Sequence, residues 1–339
     1  MARWIALAGS CFALLLASCG AGAVGAQEVT WTSFQPVPGV VDLAGPRSDG
    51  RLVIAMGGGL ELFGGRGLQP LTHQTGAGAY LSSAGEPYIA LAPKVRLPKA
   101  HCSFHRDEMF ALGENPNRVV RITRSGKASD FVALPSPFLG AITFDRIGTF
   151  GHRLLVSGTE VGQSTLYAID CRGRVKTLMD HGPNVEGGIE VAPRSFGRFG
   201  GRLIGLDEMH GPISAFKPDG SATTLATPAL PAGADIGVES LGFVPRLKPN
   251  GAAFLADRGV PGNPHPGTDS ILRLTAAQLK SAGVATGDLL VATEGGAQTV
   301  VVRCRGRKPC SVRRIGQGPA VAHAEGHIAF LGVRPPRKP

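Results

Sequence analysis

The fold is decided by a pair of repeats. Ala141-Ile142-Thr143-Phe144, Phe150-Gly151-His152-Arg153-Leu154 and Leu166-Tyr167-Ala168-Ile169 are answered in order by Gly188-Ile189-Glu190-Val191, Phe199-Gly200-Gly201-Arg202-Leu203 and Ile213-Ser214-Ala215-Phe216. Each copy then turns at Gly173 or Gly220 and closes with a short run, 175–178 or 222–225. Short apolar runs punctuated by Gly, Pro, Asp and Asn read as strands joined by tight turns. Four such strands recurring every ~40–50 residues form the blade of a β-propeller, whose faces are buried only by neighbouring blades.

Weaker copies extend both ways. Upstream, 118–122 runs to the Ser125-Gly126 turn and the outer strand 131–134, and 51–56, 60–63 and 68–72 form an earlier set. Downstream, 240–244, 252–256 and 270–274 read as the first three strands of a further unit. Thr275 then caps a short helix over 276–282, with Gln278 at the reciprocal capping-box position and Gly283 ending it. The segments 288–293, 300–303 and 311–314 follow, and 327–331 comes last, placed to close the ring against the first blade. The expected fold is all-β, a single propeller over 29–333 followed by a basic tail, 334–339. First strands starting near Glu86, Leu139, Glu186, Glu239 and Glu325, with 39–43, give six blades; five is the alternative. The 49 Gly and 26 Pro among 339 residues suit a fold of many hairpins.

The N-terminus reads as an export signal. Arg3 precedes an apolar run, 5–16, too short for a bilayer span of ~20 residues, and small residues follow. Two processing routes stay open. Leu16-Ala17-Ser18-Cys19 has the form of a lipobox, making Cys19 a lipid-bearing N-terminus after removal of 1–18. Val24-Gly25-Ala26 offers an ordinary signal-peptidase site, removing 1–26. The product is expected to be a bacterial envelope lipoprotein or a secreted or periplasmic monomer, touching membrane only through such an anchor. Cys102, Cys171, Cys304 and Cys310 remain, an even number suited to disulfides in an oxidising compartment. Cys304 and Cys310 flank a turn-rich tip and are expected to pair; Cys102 with Cys171 follows by elimination.

The chain carries a net charge of +10, concentrated near its end. Arg303, Arg305, Arg307, Lys308, Arg313 and Arg314 form a basic hairpin. Outside the cell such a patch points to an anionic envelope component, such as lipid head groups or wall polymers, and not to nucleic acid. The same charges also serve simply to keep an edge hairpin solvated.

One recurrence concerns chemistry directly. Gly85-Glu86-Pro87, Val185-Glu186-Gly187, Val238-Glu239-Ser240 and Ala324-Glu325-Gly326 all stand where inner strands begin. Equivalent positions in successive blades face one axis, so these four carboxylates are expected to converge. Like charges brought together out of water must be protonated, paired with Arg or His, or bound to a cation, and calcium suits a shell of carboxylate oxygens. They could equally accept backbone N–H groups and hold the ring together. In these Glu-Gly strand starts the chain resembles the SMP-30/gluconolactonase and NHL-type propellers. The resemblance implies a divalent metal in the channel, with Glu186 and Glu239 matching best, then Glu325 and Glu86; no Asn-Gly or Asp-Gly opens an inner strand.

His323, two residues before Glu325, and His210, following Asp207 and Glu208, are candidate catalytic bases. No nucleophile elbow, phosphate-binding loop or dinucleotide fingerprint is present. Two functions follow: a metal-dependent hydrolase of lactones or esters, or a non-catalytic envelope protein binding a small ligand or partner.

Overall fold

The structure, a computed structural model, describes residues 27–334 except Gln74, Ser83, Asn115 and Pro116. The leader with Cys19 and the tail beyond Arg334 lie outside the described residues. Among those described, no helix is long and apolar enough to cross a membrane.

Six strands occupy the innermost positions: Val40–Ala44, Ile89–Leu91, Phe138–Phe144, Glu186–Val191, Val238–Phe243 and Ala324–Val333. Each packs beside the next, and the last returns to the first, giving the closed ring of a β-propeller. The first four each lead a separate four-stranded antiparallel sheet. The last two belong to a single nine-stranded sheet, whose halves meet at one parallel pair, Leu241 opposite His327. The expected six separate sheets therefore appear as four plus one large closing sheet.

That closing sheet corrects the downstream reading. Val238–Phe243 does not pair with the strand that follows it but with Leu289–Thr293. Leu247–Asp257 pairs instead with Ala324–Val333, and Ser270–Thr275 pairs with Thr32–Pro36 from the start of the chain. Val29–Thr30 adds in parallel to the outer strand Ser311–Gln317, and Trp31, 1 % exposed, donates its indole N–H to Thr299 Oγ1 at 2.8 Å. The N-terminal segment thus fastens both halves, so the ring is closed by pairing between the ends of the chain.

Six apolar clusters fill the wedges between successive inner strands. Phe104, Phe110 and Phe144 meet edge to face in one, and Phe34, Phe63 and Phe254 in another. Each fully buried side chain of this size contributes about 1.5–3 kcal/mol. The helix Ala276–Ser281 forms with the expected Thr275–Gln278 capping box.

The axis itself is packed tightly. The buried Asp42 carboxylate accepts the backbone N–H groups of Leu43, Ile89 and His327, tying three inner strands together. A Cβ on Gly188 would lie 2.7 Å from Gly326 O and 2.8 Å from Leu241 N, so only glycine lets these strands approach. This pinch divides the axis into two separate mouths. Inner strands begin at one and end at the other.

Candidate functional site at the mouth of the channel

The glutamates at the inner-strand starts gather at the first mouth, and β-bulges help to aim them. In the Val238–Phe243 strand the register jumps between Val238 and Ser240, leaving Glu239 as the extra residue. A bulge of this kind re-aims a side chain, here toward the axis. Gly187, at φ +69°, lies so close that a Cβ there would strike the Glu239 carboxylate. This explains the Glu-Gly pair at Glu186-Gly187 in physical terms.

Three of the four glutamates share partners. The Tyr88 hydroxyl, fully buried, stands 2.8 Å from Glu239 Oε1, 2.6 Å from Glu325 Oε2 and 3.4 Å from Glu86 Oε2. Arg258 donates to Glu86 Oε1 at 2.7 Å and to Glu325 Oε1 at 3.0 Å. Glu186 stands beside this knot; burial and then the charges of Glu325, Glu294 and Asp207 raise its pKa. Pairing with Arg and Tyr is thus the main remedy the fold adopts for Glu86 and Glu325.

Burial, then the neighbouring carboxylates, pushes Glu239 well above the usual range, and its Oε2 is buried without a partner. Glu86 is raised to about 7, first by the charge of Glu325 and then by burial, against the pull of Arg258. Burial opposes charge on Glu325 as well, but His323, Arg258 and Tyr88 outweigh it and hold that pKa low.

A second group adjoins the first. His323 Nε2 lies 2.6 Å from Glu294 Oε1 and 3.5 Å from Glu325 Oε1, while its Nδ1 is buried without a partner. Burial works against the imidazolium, yet hydrogen bonds to Glu294 and Glu325 outweigh it and lift its pKa to about 10. In this form His323 is a cation, not a base. Glu208 is raised to about 9 by burial and by sharing a hydrogen bond with Glu294, and its Oε1 has no partner. Ligand atoms of Asp235, Glu294 and His323 all lie within 4.8 Å of one another, the spacing of a metal site. Its members come from a loop, the end of one strand and the approach to another.

The other candidates fall as follows. His210 is on the rim, its side chain 70 % exposed, and its Nδ1 meets both oxygens of Asp207 at 3.1 Å. A carboxyl partner there fixes the proton on Nδ1 and leaves Nε2 facing solvent as an acceptor. Cys102 pairs with Cys171 and Cys304 with Cys310. In the basic hairpin, Arg303 is bound to Asp288 and to the Gly283 carbonyl, and Arg313 to the Ala282 carbonyl. Arg305, Arg307, Lys308 and Arg314 are exposed.

Sequence reasoning missed Tyr88, Asp235, Arg258 and Glu294. Tyr88 had a signal, since it stands two residues after Glu86, the side-chain period of an extended chain. None of Asp235, Arg258 and Glu294 carries a motif; Arg258 and Glu294 reach the site only through the strand exchange of the closing sheet, and Asp235 reaches it from the loop before Val238–Phe243.

Fold and site together define an all-β propeller with a buried acidic cluster at one mouth of its axis. No protein-family model and no curated protein matches the sequence. Among solved structures the chain is similar to virginiamycin B lyase from Staphylococcus aureus, at 10 % identity and TM-score 0.43, over 85 % of this chain and 74 % of that one. It is similar to a luciferin-regenerating enzyme at 10 % identity and TM-score 0.45, over 83 % and 78 %. A putative gluconolactonase follows at 14 % identity and TM-score 0.36, over 68 % and 71 %. At these scores the fold of this chain rests on its own topology, and its chemistry on its own residues.

Proposed function

We propose that this chain is an exported six-bladed propeller, counting the closing sheet as two blades divided at Leu241 and His327, that hydrolyses lactones or esters with the help of a divalent cation at the acidic mouth. One observation carries the reading: Asp235, Glu294 and His323 converge beside buried carboxyl oxygens, Glu239 Oε2 and Glu208 Oε1, that no protein group satisfies. Buried polar atoms without partners are costly, and a cation would relieve them. The residues therefore fit such a group. The imidazole favours zinc over calcium, which the glutamates alone suggested and which prefers oxygen throughout.

Asp235, Glu294 and His323 would hold the ion, which would polarise a substrate carbonyl. His210, oriented by Asp207, takes a proton from water through Nε2 as the water oxygen bonds to the carbonyl carbon. When the carbon–oxygen bond breaks, the departing alkoxide recovers a proton from His210. Arg258 keeps the Glu325 charge balanced throughout.

The test is metal analysis of the purified protein, then lactone and ester panels with zinc, manganese, calcium or chelator. His210→Ala is expected to keep the metal-dependent rise in Tm and to lose turnover by about 10²–10⁴-fold; Glu294→Gln should lose both. A protein whose Tm ignores every cation and which turns over no member of either panel refutes the reading. The disulfides suit an oxidising compartment, and mass spectrometry of the mature N-terminus, at Cys19 or after Ala26, tests export directly. The exposed Arg305, Arg307, Lys308 and Arg314 suit an anionic envelope component as the surface against which the enzyme works.

A further inference from the structure

The second mouth, where inner strands end, holds a cavity of about 430 Å³ that the acidic cluster does not touch. Such a volume lies in the range of small-molecule pockets, roughly 300–1,000 Å³. Leu43, Ile89, Phe144, Phe243 and Phe330 form much of its wall. The axial pinch at Gly188 and Gly326 separates it from the glutamates.

Two opposite charges face this apolar cup without meeting. Arg146 and Glu190 both line it and are near enough to influence each other's ionisation, yet no salt bridge joins them among the described residues. Arg146 donates one N–H to Leu91 O at 2.6 Å, leaving the rest of its guanidinium for another acceptor. Glu190 accepts the Phe243 N–H through Oε2, leaving Oε1 for a donor. The remaining charges at the floor satisfy each other. His327 Nδ1 lies 3.0 Å from both Asp42 oxygens, and its Nε2 lies 3.2 Å from Ile189 O.

The geometry points to a compact zwitterion with an apolar tail, a free α-amino acid such as leucine or phenylalanine, as the ligand of this cup. Its carboxylate would meet Arg146, its ammonium Glu190, and its side chain the apolar wall. Arg146, exposed at the rim of the cup, and the half-buried Glu190 each gain a charge-assisted partner from such a molecule, whereas an apolar guest would displace their water without replacing it. This site is independent of hydrolysis at the other mouth.

The test titrates the unmodified protein with leucine, leucinamide, which lacks the carboxylate, and N-acetylleucine, which lacks the ammonium, following methyl NMR signals of Leu43, Ile89 and Leu241. Leucine should shift these methyls and bind about tenfold more tightly than either analogue, the loss of one charge-assisted pair. Arg146→Gln should bring leucine to the level of leucinamide, and Glu190→Gln to that of N-acetylleucine. Equal affinity for all three probes, no shift with any, or shifts confined to methyls near the glutamates overturns the proposal. These comparisons on the unmodified protein decide it even where a variant fails to fold.

Discussion

The Tyr88 hydroxyl stands 2.6 Å from Glu325 Oε2, and the same oxygen is 2.8 Å from Glu239 Oε1. A phenol carries one proton and can donate to only one of them. His323 and Arg258 push Glu325 toward its carboxylate form, whereas burial and the neighbouring carboxylates push Glu239 toward its protonated form. The bonds therefore run in one direction, from Glu239 to Tyr88 to Glu325.

That direction separates two conservative substitutions. Glu239→Gln still presents a donor to Tyr88 and is expected to change metal-free stability little. Glu325→Gln removes the charge that Arg258 and His323 face, and breaking a buried pair costs about 3–5 kcal/mol. Urea denaturation in chelator measures both, and equal losses would reverse the assignment of the proton.

Tyr88→Phe removes the hydroxyl and leaves both carboxyls short of a partner. A loss of about 1–3 kcal/mol is expected. Combined with Glu239→Gln, the losses should fall short of or exceed simple addition, because the groups share one network. Strict additivity in a double-mutant cycle would show the contacts to be energetically idle.

The metal-free protein should lose stability as pH rises. His323 has its pKa raised from 6.5 to about 10, Glu208 from 4.5 to about 9 and Glu86 from 4.5 to about 7. In each window the folded state binds more protons than the unfolded one, so stability present below the unfolded pKa is lost as pH climbs through the folded pKa. Glu325 acts oppositely, its contribution disappearing as pH falls below its unfolded value of 4.5. Tm in chelator is thus expected to decline from about pH 5 to about pH 10. A bound cation competes with these protons and should flatten the decline, which calorimetry with and without zinc would show.

The disulfides should differ in worth. Cys304 and Cys310 are 6 residues apart, Cys102 and Cys171 are 69 apart. Loop-closure entropy gives about 2 kcal/mol for the first and about 4 kcal/mol for the second. Paired Cys→Ala variants compared in urea should preserve that order, and peptide maps without reductant should recover both links.

Gly187→Ala should be among the costliest single-methyl changes in the protein. Its φ of +69° disfavours an L side chain, and the new Cβ would strike Glu239. A loss above about 1 kcal/mol is expected. A neutral result would mean that the Glu239 bulge can relax.

The sequence by itself determined what local physics controls. Period-two apolar runs and Gly-rich turns specified the strands, the Thr275 and Gln278 side chains specified the helix start, and a six-residue spacing sufficed to join Cys304 to Cys310. The shared register of Glu86, Glu186, Glu239 and Glu325 was legible for the same reason, since each stands at or just before the start of its own inner strand. Only the tertiary structure decided that Val238–Phe243 pairs with Leu289–Thr293 and Leu247–Asp257 with Ala324–Val333. Strand alternation looks the same whichever partner is chosen, and the choice is fixed by closing the ring with both ends of the chain. That closure carries Arg258 and Glu294 to the glutamates. Which carboxyls keep a proton was likewise undecided until burial and neighbours were set, because charge in water and charge at this mouth have different energies.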